Sequence, residues 1–191
     1  MKVNLNLPNK LTIMRIALAP VFLLLFLLKA LPYNCILSLV IFIGASITDF
    51  ADGKIARARN LITNFGKIAD PIADKILTTT VLLCFMQRNL CSIWVIIIIL
   101  SREFIVSAIR ITAASQGDVI PANISGKIKT VLQMVFSVII LVLIAVENDF
   151  AVEIPWLELM SKIMTWILAA VTIVSGAIYV KDGAKIIDFA K

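Results

Sequence analysis

The chain has 191 residues, 61% of them hydrophobic, with 18 Lys and Arg against 12 Asp and Glu and a net charge of +6. That apolar excess, a mean hydropathy of +1.02, is more than a soluble domain of this length hides in its own core, so the composition predicts an integral membrane protein. Histidine is absent, which excludes His-dependent zinc sites and Ser-His-Asp or Cys-His catalysis and leaves acid–base work to carboxylates, Lys, Tyr or water.

The chain opens on NLPNKLTIMR (6–15). Pro8 and Asn9 suit a helix start, and Lys10 and Arg15 alternate with Leu11, Ile13 and Met14. The stretch fits either a short helix lying at the membrane interface or the positive flank of the first span. Six apolar segments follow, at about 12–31, 34–48, 70–86, 93–114, 128–146 and 159–180. Each comes near the roughly 20 residues needed to cross a bilayer except the second. That one reaches full length only if its helix continues through the aspartates beyond it to about Ala58. The runs are continuous, without the ten-residue alternation of a transmembrane barrel. The predicted fold is therefore an all-α integral membrane protein of one domain, 1–191, with six transmembrane helices preceded by a short interfacial N-terminal helix.

Lys and Arg placement sets the orientation. Basic residues gather at the N-terminus, between the second and third segments, between the fourth and fifth, and in the tail at Lys181, Lys185 and Lys191. The other side carries mainly Lys29 and Arg88, with Lys162 near its edge, and gathers Glu147, Asp149, Glu153 and Glu158. Both termini and the charged second connection should face the cytoplasm. The positive charge then reads as loops beside anionic headgroups, with no nucleic-acid partner. Cys35, Cys84 and Cys91 lack metal-ligand spacing and fall in or near apolar runs, so they read as small buried hydrophobes. Tyr33 and Trp156 should mark the far surface, and Gly176 should serve helix packing.

The densest polar cluster is TDFADGKIARARNLITNFGKIADPIADK, 48–75. Asp49 and Asp52 stand three apart, and Asp70 and Asp74 four apart, so on helices each pair shares a face. Four carboxylates converging at membrane depth require compensation, and divalent cations supply it. An all-oxygen donor set suits Mg²⁺, Mn²⁺ or Ca²⁺, and two such ions bridged by carboxylates form a site for displacement at phosphorus. Gly53 lets a ligand approach the backbone, Ala56 keeps the surface open one turn on, and Arg57 offers a planar fork to a phosphate. Gly66 should end or bend the connection, with Pro71 in the first turn of the next helix. The plain alternative is a solvated loop with pairs such as Asp49 with Lys54. Four aspartates at these intervals, with Gly, Ala and Arg between them, outweigh it.

Asp49-x2-Asp52-Gly53-x2-Ala56-Arg57-x8-Gly66-x3-Asp70-x3-Asp74 resembles the CDP-alcohol phosphatidyltransferase signature at every fixed position. LPNKLTIMR, FGKIADPIADK, SREFIVSAIR and GKIKTVLQM further resemble the bacterial branch of that family that transfers to glycerol 3-phosphate. The resemblance implies a homodimeric six-helix enzyme of the bacterial inner membrane, its polar cavity open to the cytoplasm, with CDP-diacylglycerol and glycerol 3-phosphate as substrates. It implies two divalent cations, Mg²⁺ or Mn²⁺, on Asp49, Asp52, Asp70 and Asp74, with Asp74 also the base on the acceptor hydroxyl. It places Asp52, Gly53, Ala56, Arg57, Thr63, Asn9 and Thr12 around the CDP-diacylglycerol.

The charges in the fourth and fifth segments bear on the acceptor. Arg102 and Arg110 lie eight apart and roughly share a helical face, and Lys127 and Lys129 open the fifth segment. A basic pocket suits an acceptor that carries its own phosphate. Arg110 is the first candidate to hold it, then Lys127 and Arg102. An internal pair of Arg102 with Glu103 or with an aspartate, or surface charge at the lysines, stays open. The choice of glycerol 3-phosphate over inositol phosphate comes from the resemblance alone. Two rivals remain: another acceptor within the family, and a cation transporter using the aspartates as an ion path.

Overall fold

The computed structural model describes residues 7–28, 30–58, 64–116 and 123–184, with the side chains of 7, 8, 49–58, 64–71 and 115 left undescribed. The described residues form six helices and no strand: α1 (Leu7–Leu27), α2 (Asn34–Ala58), α3 (Asn64–Gln87), α4 (Ile93–Ser115), α5 (Ile124–Asp149) and α6 (Leu157–Gly183). Three of them, α5, α6 and α1 from Asn9, are long and apolar enough to cross a membrane. The apolar part of α2, Asn34–Thr48, is shorter. In α4 the charges of Arg102, Glu103 and Arg110 interrupt a run that is otherwise almost wholly apolar.

Three expectations shift at helix boundaries. The opening motif does not form a helix of its own, because α1 runs unbroken from Leu7 past Arg15 to Leu27. Pro8 lies in its first turn, where a missing N–H costs nothing, and no breaker separates it from the apolar run. α3 begins at Asn64, so Gly66 lies inside the helix and Pro71 lies well past its first turn. The dense apolar run begins only after Asp70, although Phe65, Ile68 and Ala69 already carry the helical period of Ile72 and Ala73. The continuation of α2 through the aspartates to Ala58 is as expected.

The chain divides into two compact units. The first comprises Met1–Cys84 with Val138–Pro155, and the second Phe85–Ser137 with Trp156–Lys191, so α5 contributes to both. In the first unit α1 packs on α2. Phe22 stacks on Phe26 at 5.9 Å and meets Phe42 at 6.3 Å. The helix ends there are satisfied by side chains from elsewhere. Asn34 Nδ2 donates to the carbonyls of Leu25 (3.2 Å) and Phe26 (3.3 Å), acceptors with no partner within α1. Asp149 Oδ2, at the end of α5, accepts the Ile36 N–H at 2.7 Å in the first turn of α2. Asn148 Nδ2 donates to Cys35 Sγ at 3.2 Å beside it.

In the second unit α4 packs on α6. The buried stripe of α6 includes Ser161, Thr165, Leu168, Thr172, Ser175 and Tyr179. Thr165 and Thr172 donate to their own helix, at Ser161 O (2.9 Å) and Leu168 O (2.7 Å), so their hydroxyls need no outside acceptor. Beyond the end of α3 at Gln87, Asn89 adopts a left-handed conformation (φ 60°), and Ser92 caps α4 through the Trp94 N–H at 3.4 Å. All three cysteines are buried and form no disulfide. Burial pushes the Cys91 thiol, in the connection before α4, up to about 11, with the Thr165 hydroxyl pulling the other way.

Two outcomes follow from this packing. Asp149→Ala removes the carboxylate cap of α2 and should cost about 1–2 kcal/mol, seen as a lower thermal midpoint in detergent; an unchanged midpoint would show the cap to be dispensable. Cys91 should resist a charged maleimide at pH 8 in the folded protein, since only roughly one thiol in a thousand is then ionised. Rapid labelling before unfolding would contradict its burial.

Candidate active site

The signature aspartates occupy two helices. Asp49 and Asp52 are three residues apart near the end of α2, and Asp70 and Asp74 are four apart in the first half of α3. Helical backbone at all four positions meets the condition for each pair to share a face. Gly53, Ala56 and Arg57 also lie on α2, in the turns after Asp52. The side chains of Asp49, Asp52, Ala56, Arg57 and Asp70 lie outside the described residues, as does the whole of Thr63. Asp74 is described and half-buried, and its carbonyl accepts the Thr78 hydroxyl at 2.9 Å. Ala73 and Leu77, on either side of it, are fully buried and fix this part of α3.

Asn9 and Thr12 are buried on α1, 4% and 1% exposed. Arg15, one further turn along the same face, is also buried. It was grouped with the positive flank in the sequence, although its spacing from Asn9 and Thr12 marks it as part of one polar stripe.

The second unit carries a built basic cluster. Glu103 Oε1 accepts from Arg102 Nη1 at 3.0 Å and from Lys129 Nζ at 2.7 Å. Arg102 Nη2 donates to Ser175 Oγ on α6 at 2.9 Å. Arg102 thus makes the internal pair with Glu103, and Lys129, 3% exposed, joins it. The three charges sum to one net positive within the unit, and Arg102 Nε is buried with no hydrogen-bond partner. Two glycines make room for this arginine. A Cβ on Gly126 of α5 would stand 3.2 Å from its Nη2, and one on Gly176 of α6 would stand 3.0 Å from its Cγ. Gly176 therefore has a role within the chain.

Arg110, two turns beyond Arg102 on α4, is exposed. Its Nε donates to the Tyr179 hydroxyl at 2.6 Å, and its guanidinium carbon is 5.1 Å from the Tyr179 ring centre. Because the accepting oxygen sits on the ring's rim, the guanidinium lies toward that rim and the hydrogen bond dominates the contact. Lys127 is exposed in the first turn of α5, next to Gly126. The structure thus gathers Arg102 and Lys129 on Glu103 and fixes Arg110 separately on Tyr179. Glu103 is the internal partner the sequence offered for Arg102, whereas Ser175 and Tyr179 were not singled out, since nothing local distinguishes them from packing residues.

Among the described residues no three His, Cys, Asp or Glu side chains cluster as a metal site. The donor set of the signature fits a hard divalent cation nonetheless: four carboxylates, no histidine, and helical spacings of three and four.

Comparison with known proteins adds four findings. The family model of the CDP-alcohol phosphatidyltransferases matches residues 5–175. A Bacillus subtilis protein named CDP-diacylglycerol–glycerol-3-phosphate 3-phosphatidyltransferase is 39% identical over 186 residues, covering 90% of this chain and 91% of its own. One of the same name from Rickettsia bellii is 42% identical over 185 residues, covering 97% and 99%. A Mycobacterium tuberculosis protein named probable phosphatidylglycerophosphate synthase is 39% identical over 132 residues, covering 68% of this chain and 63% of its own. The match runs through both compact units and through every signature residue on α2 and α3, and the chain belongs to the CDP-alcohol phosphatidyltransferase family.

Proposed function

We propose that the chain transfers the phosphatidyl group of CDP-diacylglycerol to sn-glycerol 3-phosphate, giving phosphatidylglycerophosphate and CMP. The observation that carries this reading is identity of about 40% along nearly the whole chain to relatives named for that reaction. The net positive charge of the Arg102–Glu103–Lys129 cluster supports an acceptor that brings its own phosphate. Serine and free inositol offer no such anion. The cation-transporter alternative gains nothing from membership of a transferase family.

In the reaction an acceptor hydroxyl oxygen attacks the β-phosphorus of the donor. The new P–O bond forms as the bond to CMP breaks, and the hydroxyl proton passes to the Asp74 carboxylate. Arg57 holds the donor diphosphate. Gly53 and Ala56 leave room for the nucleotide, with Asn9, Thr12 and Thr63 bordering it. Arg110, with Lys127, receives the acceptor phosphate, and Arg102, its Nη groups taken by Glu103 and Ser175, adds positive charge without a free fork. The family is generally divalent-metal dependent. When bound, two Mg²⁺ or Mn²⁺ ions on Asp49, Asp52, Asp70 and Asp74 neutralise the diphosphate and the leaving group. The whole chain works as one catalytic domain, a homodimer in the bacterial inner membrane, with termini and site on the cytoplasmic side. Its Lys and Arg distribution supports that orientation.

The first test is CMP release by the purified protein given CDP-diacylglycerol, Mg²⁺ or Mn²⁺, and one acceptor at a time. Release is expected with glycerol 3-phosphate and not with serine, inositol or inositol phosphate; turnover on one of those instead would replace the acceptor. Asp74→Asn should lower kcat by about 10²–10⁴-fold, the range for loss of a positioned base, with the thermal midpoint retained. Wild-type turnover in that variant would remove Asp74 as the base.

A further inference from the structure

Arg102 and Arg110 look equivalent in sequence, two arginines eight apart on one face of α4. Their hydrogen bonds differ. Arg102 spends both Nη groups inside the unit, on Glu103 at 3.0 Å and Ser175 at 2.9 Å. Arg110 spends its Nε, on Tyr179 Oη at 2.6 Å, and among the described residues its hydrogen bonding stops there. A guanidinium binds a phosphate bidentately through two N–H groups on one edge. In Arg102 the edge that carries both Nη groups is occupied. In Arg110 the same edge is open, on an exposed residue, and the side chain is anchored from behind.

The anchor is rigid. Tyr179 is 2% exposed on α6, one turn after Ser175, so its ring is fixed by the packing of α6 on α4. An arginine held in advance loses less rotamer freedom when a phosphate arrives. We propose that Tyr179 is the positioning residue for Arg110, fixing the guanidinium through Nε so that both Nη groups form a ready fork for the acceptor phosphate. The proposal rests on reading Arg110 as the acceptor's ligand.

A double-mutant cycle tests it. Wild type, Tyr179→Phe, Arg110→Ala and the double variant are assayed for CMP release, with KM for glycerol 3-phosphate, KM for CDP-diacylglycerol and kcat measured separately. Tyr179→Phe should raise the acceptor KM about 5–10-fold, the scale of one immobilised side chain, while kcat and the donor KM stay within about twofold. Arg110→Ala should raise the acceptor KM by more, and adding Tyr179→Phe to it should change nothing further. An Arg110→Ala effect without a Tyr179→Phe effect overturns the proposal and leaves Arg110 as the ligand. A Tyr179→Phe effect that persists undiminished in the Arg110→Ala background also overturns it. An acceptor KM unmoved by Arg110→Ala sinks the reading of Arg110 and the proposal with it. Should Tyr179→Phe fail to fold, Arg110→Lys decides: it keeps the charge without a fork anchored from behind, and should raise the acceptor KM nearly as far as Arg110→Ala. A near-wild-type KM in Arg110→Lys would show that charge alone suffices and overturn the proposal.

Discussion

An ionised group in a largely apolar chain must meet its counter-charge within hydrogen-bond reach, and in the second unit the Glu103 carboxylate meets that need. It takes Arg102 from its own helix and Lys129 from α5 on a single oxygen. Removing Glu103 would leave the Arg102 and Lys129 cations close together and uncompensated, which costs far more than the intact cluster contributes. The surrounding choices follow from this one. Gly126 and Gly176 are small because the Arg102 side chain passes between α5 and α6, and Ser175 supplies the acceptor that Glu103 cannot. The charges that make α4 a poor candidate for a plain membrane span are the ones that tie it to α5 and α6.

The first unit solves a different problem, that of helix ends. The last carbonyls of α1 and the first N–H groups of α2 lack partners within their own helices. Asn34 and Asp149 satisfy them from outside. Along α2 itself, about 22 Å separates this capped end from the aspartates, at 1.5 Å per residue. One helix thus has its start fixed by neutral and charged caps, and its far end is given over to carboxylates. The apolar stretch between them, Asn34–Thr48, is short for a span. The shortness is explained once the helix is seen to continue through the acidic turns to Ala58.

The two arginines of α4 show how a pocket can be built from identical residues with different duties. Arg102 sits in a slot, its donors consumed by Glu103 and Ser175, and it carries positive charge into the unit. Arg110 stands at the exposed end of the same face, with one donor committed and an edge open. α6 supplies the oxygen in both cases, from Ser175 and Tyr179, one helical turn apart. The contacts advance in the same direction along α4 and α6, so these two helices run parallel within the unit.

The sequence by itself determined the helices, the family signature and the residues able to ligate hard cations, because long apolar runs and fixed intervals between charges are local properties of the chain. It left the start of α3 six residues too late, since Gly66, Lys67 and Asp70 thin the apolar run there even though Phe65, Ile68 and Ala69 keep its period. It also read the opening motif as a possible separate helix, where α1 runs from Leu7 to Leu27 and continues through Pro20. Tertiary structure alone decided what each basic residue is free to do. The sequence leaves Arg102 open between an internal pair and a ligand, and the choice is made where α5 and α6 bring Lys129 and Ser175 to the Arg102–Glu103 pair. Tyr179 lies 69 residues from Arg110. No spacing along the chain encodes that meeting, because a hydrogen bond between distant residues is fixed by how helices pack and not by where each residue stands in its own.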